Sequence, residues 1–295
     1  MRIKSKRRQV SILDSKQYKE IQRQGWASVA EGWEKWWKTI EVGADKVSRR
    51  LLELAEIKSG SRVLDIATGI GEPAITAARK VGSSGRVLAT DISPQMLYIA
   101  KQRAISLGLQ HVIEFKEGDA ETINLPASTF DAVLCRWGLM FLPDLRTGLS
   151  NIYGSLVNGG HLAFAVWSSS EKVPFISLVI NTVSKETHKP ALPTGIPGPF
   201  ILADENVIKD FLTKSGFGDV VIEKMAVTFT FDTAEAFTSY QWDTAFPLHS
   251  MLANETQVRR EEILKSVTEA ARKYANHNTG SVNLTNEAIC VVGTK

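Results

Sequence analysis

Cysteine is scarce: the 295-residue chain has two, Cys135 and Cys290, each inside an apolar run and neither in a C-x-x-C pair. A disulfide framework, a thiol redox pair and a cysteine zinc cage are thereby excluded, no metal site is expected, and a reducing cytoplasm fits best. Long apolar runs are missing too. The longest candidates, such as residues 175–180, have strand or core length, well short of the roughly 18 residues needed to span a bilayer. Only Val10, Ile12 and Leu13 follow the basic start before Asp14, so no signal-peptide core is expected. No internal repeat is visible. With 43% hydrophobic and 23% charged residues, the composition excludes disorder, collagen and coiled coil, and the length suffices for one large or two small domains without staples.

Charge is uneven. Arg2, Lys4, Lys6, Arg7 and Arg8 put five positive charges before the first acid, so the rest of a chain of formal charge +3 carries −2. Residues 1–15 read as a flexible, solvated basic terminus. A mildly acidic body lacks the basic stripe that neutralises phosphates, which argues against nucleic acid as a partner.

From residue 62 onward, short β-rich runs alternate with helical patterns, which predicts an α/β fold of βαβ units with helices on both faces of a parallel sheet. Strands are expected at 62–67, 86–91, 111–116, 130–136 and 161–167, and two more at 219–231 and 288–293. Residues 16–60 read as a helical cap, 61–295 as the main domain, and 168–203 and 232–285 as cap insertions within it. In the cap, Trp26, Ala30, Trp33 and Trp37 recur at i, i+4, i+7 and i+11 with Trp36 beside them, a stripe that suits core packing or a pocket wall. Pro190, Pro193, Pro197 and Pro199 make residues 189–199 a stiff loop.

The densest chemical signal is Val63-Leu64-Asp65-Ile66-Ala67-Thr68-Gly69-Ile70-Gly71-Glu72-Pro73-Ala74, an apolar strand entering a glycine turn and then a helix. Gly69 and Gly71 remove side chains where the backbone approaches a ligand, and Pro73 suits a first helical turn. As G-x-G-x-x-A the turn also fits a dinucleotide fingerprint. Charge separates the two readings. A pyrophosphate wants bare N–H groups at such a turn, whereas Asp65 and Glu72 flank this one and favour a cation such as S-adenosylmethionine, with its sulfonium and ammonium. Twenty residues after Gly71, Asp91 ends the second strand, where an acid accepts the ribose hydroxyls of an adenosine cofactor. Ser93 and Pro94 then read as N-cap and first residue of the next helix. Ile92 and Met96 can pack on adenine, and Glu117-Gly118-Asp119-Ala120 offers a carboxylate to its amino group. Asp131 begins a strand at the opposite edge and reads as a turn organiser.

These motifs, with FDAVLCRWGLMFLPD and NGGHLAFAVW further on, resemble class I S-adenosylmethionine-dependent methyltransferases, of the branch of the ubiquinone and menaquinone biosynthesis enzymes. The resemblance implies a Rossmann-like seven-stranded sheet of order 3-2-1-4-5-7-6 with strand 7 antiparallel. It implies that Asp65 and Gly69 line the methionine part, Asp91 the ribose, Asp119 and Ala120 the adenine, and Arg136 and Trp137 the edge of strand 4, with Ala67, Gly71 and Gly118 also binding the cofactor. Cys135-Arg136-Trp137-Gly138 stands where base-modifying amino-methyltransferases carry N/D-P-P-Y/F, a second argument against nucleic acid.

An acceptor pocket is expected from Trp26, Trp33, Trp137, Trp167, Phe175, Phe200, Trp242 and Phe246, suited to an apolar or aromatic small molecule. Its occupant could be a quinone precursor or a natural product such as an indole or polyketide. His249 is the candidate base, because it lies in the insertion that the resemblance sets over that pocket. His111, His161, His188 and His277 read as structural or solvated. Two other function classes share parts of the pattern: an NAD(P)-dependent oxidoreductase, which leaves Glu72 and the Asp119 motif unexplained, and a non-catalytic cofactor-binding scaffold.

Overall fold

A computed structural model describes residues 14–189 and 196–295. The basic start of the chain, and Pro190 and Pro193 of the stiff loop, lie outside these residues. The elements are α1 (Ser15–Ser28), α2 (Ala30–Leu54), β1 (Arg62–Ile66), α3 (Ala74–Val81), β2 (Arg86–Asp91), α4 (Pro94–Ser106), β3 (Ile113–Glu117), β4 (Phe130–Arg136), α5 (Leu145–Ser155) and β5 (Leu156–Trp167). The chain continues through α6 (Pro174–Thr187), α7 (Glu205–Lys214), β6 (Gly218–Phe231), α8 (Ala234–Thr244), α9 (Phe246–Met251), α10 (Gln257–Ala271) and β7 (Val282–Thr294). No helix among the described residues is long and apolar enough to cross a membrane.

The strands form one sheet in the order β3-β2-β1-β4-β5-β7-β6, with β7 antiparallel to both neighbours, as the resemblance implied. Helices cover both faces of the central strands. Val63, Leu64 and Ile66 in β1 and Ala132 to Cys135 in β4 are therefore all buried, and these strands read as continuous apolar runs. β6 and β7 alternate toward their far end. Val227, Phe229 and Phe231 are buried, while Thr228 and Thr230 pair with Thr285 and Asn283 on the opposite face.

Two strands are longer than periodicity suggested. β5 starts at Leu156, because Gly159 takes a left-handed φ of +76° and residues 156–161 bulge, with Gly159 and Gly160 exchanging backbone bonds with Lys295. β7 starts at Val282, where the mixed sequence Val-Asn-Leu-Thr-Asn-Glu is a half-buried ribbon paired to β6 rather than part of the insertion. Asp131 accepts the Arg62 N–H at 2.8 Å, tying β4 to β1 at the amino edge of the sheet.

Tryptophans 26, 33 and 37 straddle a break rather than one helix. Val29, at φ −111° and ψ 7°, ends α1 and begins α2. The stripe still holds a satellite apolar cluster with Val29, Ala30, Ile70, Met96 and Phe246, outside the main core. α2 presses directly on β6, since a Cβ at Gly43 would stand 2.5 Å from the Phe229 ring and 2.9 Å from the Thr228 carbonyl. Gly43→Val should therefore lower stability by about 1–3 kcal/mol through overpacking, read as a lower urea midpoint. An unchanged midpoint would show that α2 does not bear on β6 there.

Candidate active site

Parallel register brings three strand ends together. Asp65 of β1 lies beside Ala89 of β2, and Asp91 of β2 beside Glu117 of β3, so the loops that follow open on one edge. Asp91 knits them: one carboxylate oxygen accepts the Gly69 N–H at 2.8 Å and the other the Ser93 N–H at 2.9 Å. Its backbone carbonyl takes the Gly118 N–H at 2.9 Å. Ser93 caps α4 by accepting the Met96 N–H, with Pro94 as the first helical residue. Burial pushes the Asp91 carboxyl up to about 6.

The glycines of the turn do different work. Gly69 has φ +57° and no atom within 4 Å of where a Cβ would stand, because that side faces a cavity. Gly71, at φ +107°, lies off the cavity, and a Cβ there would press on the Ile75 side chain at 2.9 Å. Asp65 is also set back. It is fully buried behind the turn, and one oxygen accepts the Ala74 N–H that opens α3 at 3.0 Å. Burial pushes this carboxyl up to about 7.

The cavity, of about 330 Å³, runs along the carboxyl edge beneath α1 and α2. From β3 across β2 and β1 to the end of β4 its wall is charged, and acids outnumber bases: Glu41, Glu72, Asp91 and Asp119 against Lys19 and Arg136. Lys19 of α1 reaches Asp119 at 2.7 Å and Glu121 at 2.5 Å, closing the cap on the end of β3. Burial alone would raise Asp119, but Lys19, the Glu121 amide and Thr122 outweigh it and hold the carboxyl below its usual range. Glu72 is raised, first by burial and then by the Glu41 charge across the cavity. Arg136 is gripped by Glu41 at 2.8 Å and by Ser48 at 2.8 Å. Over β5 and β6 the wall turns aromatic. Trp137 stacks on Trp167 with centroids 4.3 Å apart, and Phe175 stacks on Phe229 at 4.3 Å.

Of the residues singled out by sequence, Trp26, Trp33, Ala67, Gly69, Asp91, Ile92, Met96, Gly118, Asp119, Ala120, Arg136, Trp137, Trp167 and Phe175 line this one cavity. Asp65, Gly71, Phe200, Trp242, Phe246 and His249 do not. Phe246 packs edge-on against Trp26 in the satellite cluster, and Phe200 packs on the main core. His249 lies outside the lining: its Nε2 donates to the Trp242 carbonyl at 2.7 Å and its ring lies against the Trp242 indole, a structural contact. Sequence reading missed Glu41, Phe229, Tyr240, Gln241 and Thr244. Glu41 carried a signal, falling four residues after Trp37 and seven before Ser48, an acid on the buried stripe of α2.

The raised carboxyls set a pH dependence. An unfolded chain releases these protons near pH 4, about the ordinary aspartate value, whereas the folded chain holds that of Asp65 up to about pH 7. The stability this proton carries is fully present below about pH 4 and is lost as pH rises through about 7. Asp65→Asn removes the proton, so across that window the wild-type protein should lose more stability than the variant in urea titrations. Parallel profiles would contradict the placement of Asp65.

Residues 15–187 match the ubiE/COQ5 methyltransferase family. Aklanonic acid methyltransferase DauC of Streptomyces sp. (strain C5) is 41% identical over 118 residues, 40% of this chain and 53% of that protein. The ubiquinone/menaquinone biosynthesis C-methyltransferase UbiE of Pseudomonas putida is 35% identical over 120 residues, 41% of this chain and 47% of that protein. The chain spans about half the length of the curated relatives it matches. Phosphoethanolamine N-methyltransferase 2 of Haemonchus contortus, solved with phosphomonomethylethanolamine and S-adenosylhomocysteine, shares the fold at a TM-score of 0.56 and 17% identity, over 96% of this chain and 60% of that one. Matched over more than half its length, the chain belongs to the ubiE/COQ5 methyltransferase family.

Proposed function

We propose that the protein transfers a methyl group from S-adenosylmethionine to an O, N or C atom of a planar, apolar aromatic metabolite. One observation carries this reading: a single cavity is acid-lined over β3, β2 and β1 and aromatic over β5 and β6. The residues present fit the cofactor. Gly69 leaves room beside the turn, and the excess of acids suits a cation. A dinucleotide pyrophosphate would meet the same acids unfavourably, so an oxidoreductase is not favoured.

When bound, the cofactor supplies an electrophilic methyl group on a sulfonium. Asp91 would accept the ribose hydroxyls, Asp119 and Ala120 would hold the adenine, and Ile92 and Met96 would pack on it. The aromatic wall of Trp137, Trp167, Phe175 and Phe229 excludes water and holds a flat acceptor in line. Apolar walls do not oppose a displacement in which the donor's positive charge is neutralised, and fixing the two reactants supplies the larger gain. Relatives named for aklanonic acid and for ubiquinone and menaquinone support a natural product or quinone precursor as acceptor.

Thermal shift and calorimetry test the cofactor assignment. S-adenosylhomocysteine should stabilise the protein and NAD should not, since saturation at about 100 times the Kd adds about 2.7 kcal/mol. Asp91→Ala should weaken S-adenosylhomocysteine by about 10- to 100-fold, the loss of charge-assisted hydrogen bonds worth about 1.5–3 kcal/mol. Unchanged affinity, or stabilisation by NAD, would refute it.

A further inference from the structure

The acids around the glycine turn are not equally free to meet a ligand. Asp65 is fully buried and does not reach the cavity. Glu72 reaches it, but one of its oxygens takes both the amide and the hydroxyl of Thr76, and the other faces Arg103 at 3.9 Å. Glu41 is different. It comes from the cap helix α2, lines the cavity with 16% of its side chain exposed, and its partner is Arg136 at the end of β4.

Hydrogen-bond capacity on both members of that pair is unfilled. A carboxylate offers about four lone-pair sites and a guanidinium five N–H donors. Arg136 spends two contacts on Glu41 and one on Ser48, which leaves two donors on the cation and two acceptor sites on the anion. The pair's position matters as much. β4 adjoins β1 on the side away from β2, so Arg136 and Asp91 stand about two strand spacings, roughly 9.5 Å, apart across the glycine turn. A ligand whose ribose sits at Asp91 and whose body crosses the turn therefore brings its far end to Glu41 and Arg136.

We infer that Glu41 and Arg136 together bind the zwitterionic amino-acid end of the cofactor, Glu41 accepting from its ammonium and Arg136 donating to its carboxylate. This rests on the methyltransferase reading and deepens it. The ammonium site is then supplied by the cap, not by the acid that begins the turn motif, and Asp65 keeps a positioning role on the α3 N-terminus. A bound amino acid thereby links α2 to β4 at the boundary between the charged and aromatic walls.

Calorimetry with two ligands separates this from a structural role. S-adenosylhomocysteine and 5′-deoxy-5′-methylthioadenosine share adenosine and thioether, and only the first carries the amino acid. Glu41→Gln should weaken S-adenosylhomocysteine by about 10- to 100-fold while methylthioadenosine stays within about twofold. Glu41→Asp, which keeps the charge, should recover part of the loss. Equal weakening of both ligands, or no weakening of either, would overturn the assignment. If the wild-type protein binds neither, the cofactor reading itself falls, and this inference with it.

Discussion

Asp91 holds the site in shape. Its two oxygens accept amides from the turn after β1 and from the N-terminus of α4, so one buried carboxylate sets the spacing of two loops from different strands. The sheet makes this possible, because parallel register places the end of β2 between those of β1 and β3. Burial raises the carboxyl to about 6, so the arrangement holds its charge at neutral pH at some cost to the unliganded fold. Hydrogen bonds from ligand hydroxyls would offset part of that cost.

The cap gives the edge a roof. α1 is fastened to the end of β3 through Lys19, and α2 to the end of β4 through Glu41 and to β6 through the close approach at Gly43. These attachments differ in kind. The ionic ones are partly solvated and surround the charged wall, whereas the contact with β6 is apolar and backs the aromatic wall. Charge and aromaticity are thus distributed along the sheet order, with the acids over β3 to β1 and the rings over β5 and β6.

Much of this was legible in the chain. The Asp91-Ser93-Pro94 junction follows local grammar: an apolar run, an acid at its end, then an N-cap and a proline, whereas the strand order followed from the family resemblance alone. What is set by distant packing was not. Along α8 and α9 the cavity face is the stripe Tyr240, Thr244 and Leu248, with Gln241 beside it, so helical spacing rather than aromatic character decides the lining. Trp242 and Phe246 fall off that stripe, and His249 binds Trp242 instead of facing the cavity. Asp65 shows the converse. Its place in the motif marks a constrained acid, but only the fold reveals that the constraint is the Ala74 amide.

On the proposed function, one cavity joins a cationic methyl donor to a flat apolar acceptor. The most direct measurement is transfer of labelled methyl from S-adenosylmethionine across a panel of acceptors matched in size, from polycyclic aromatics and quinone precursors to phosphorylated sugars and amines. Incorporation into the aromatic acceptors and none into the charged ones is expected. Preferred methylation of a charged, sugar-like acceptor would contradict it.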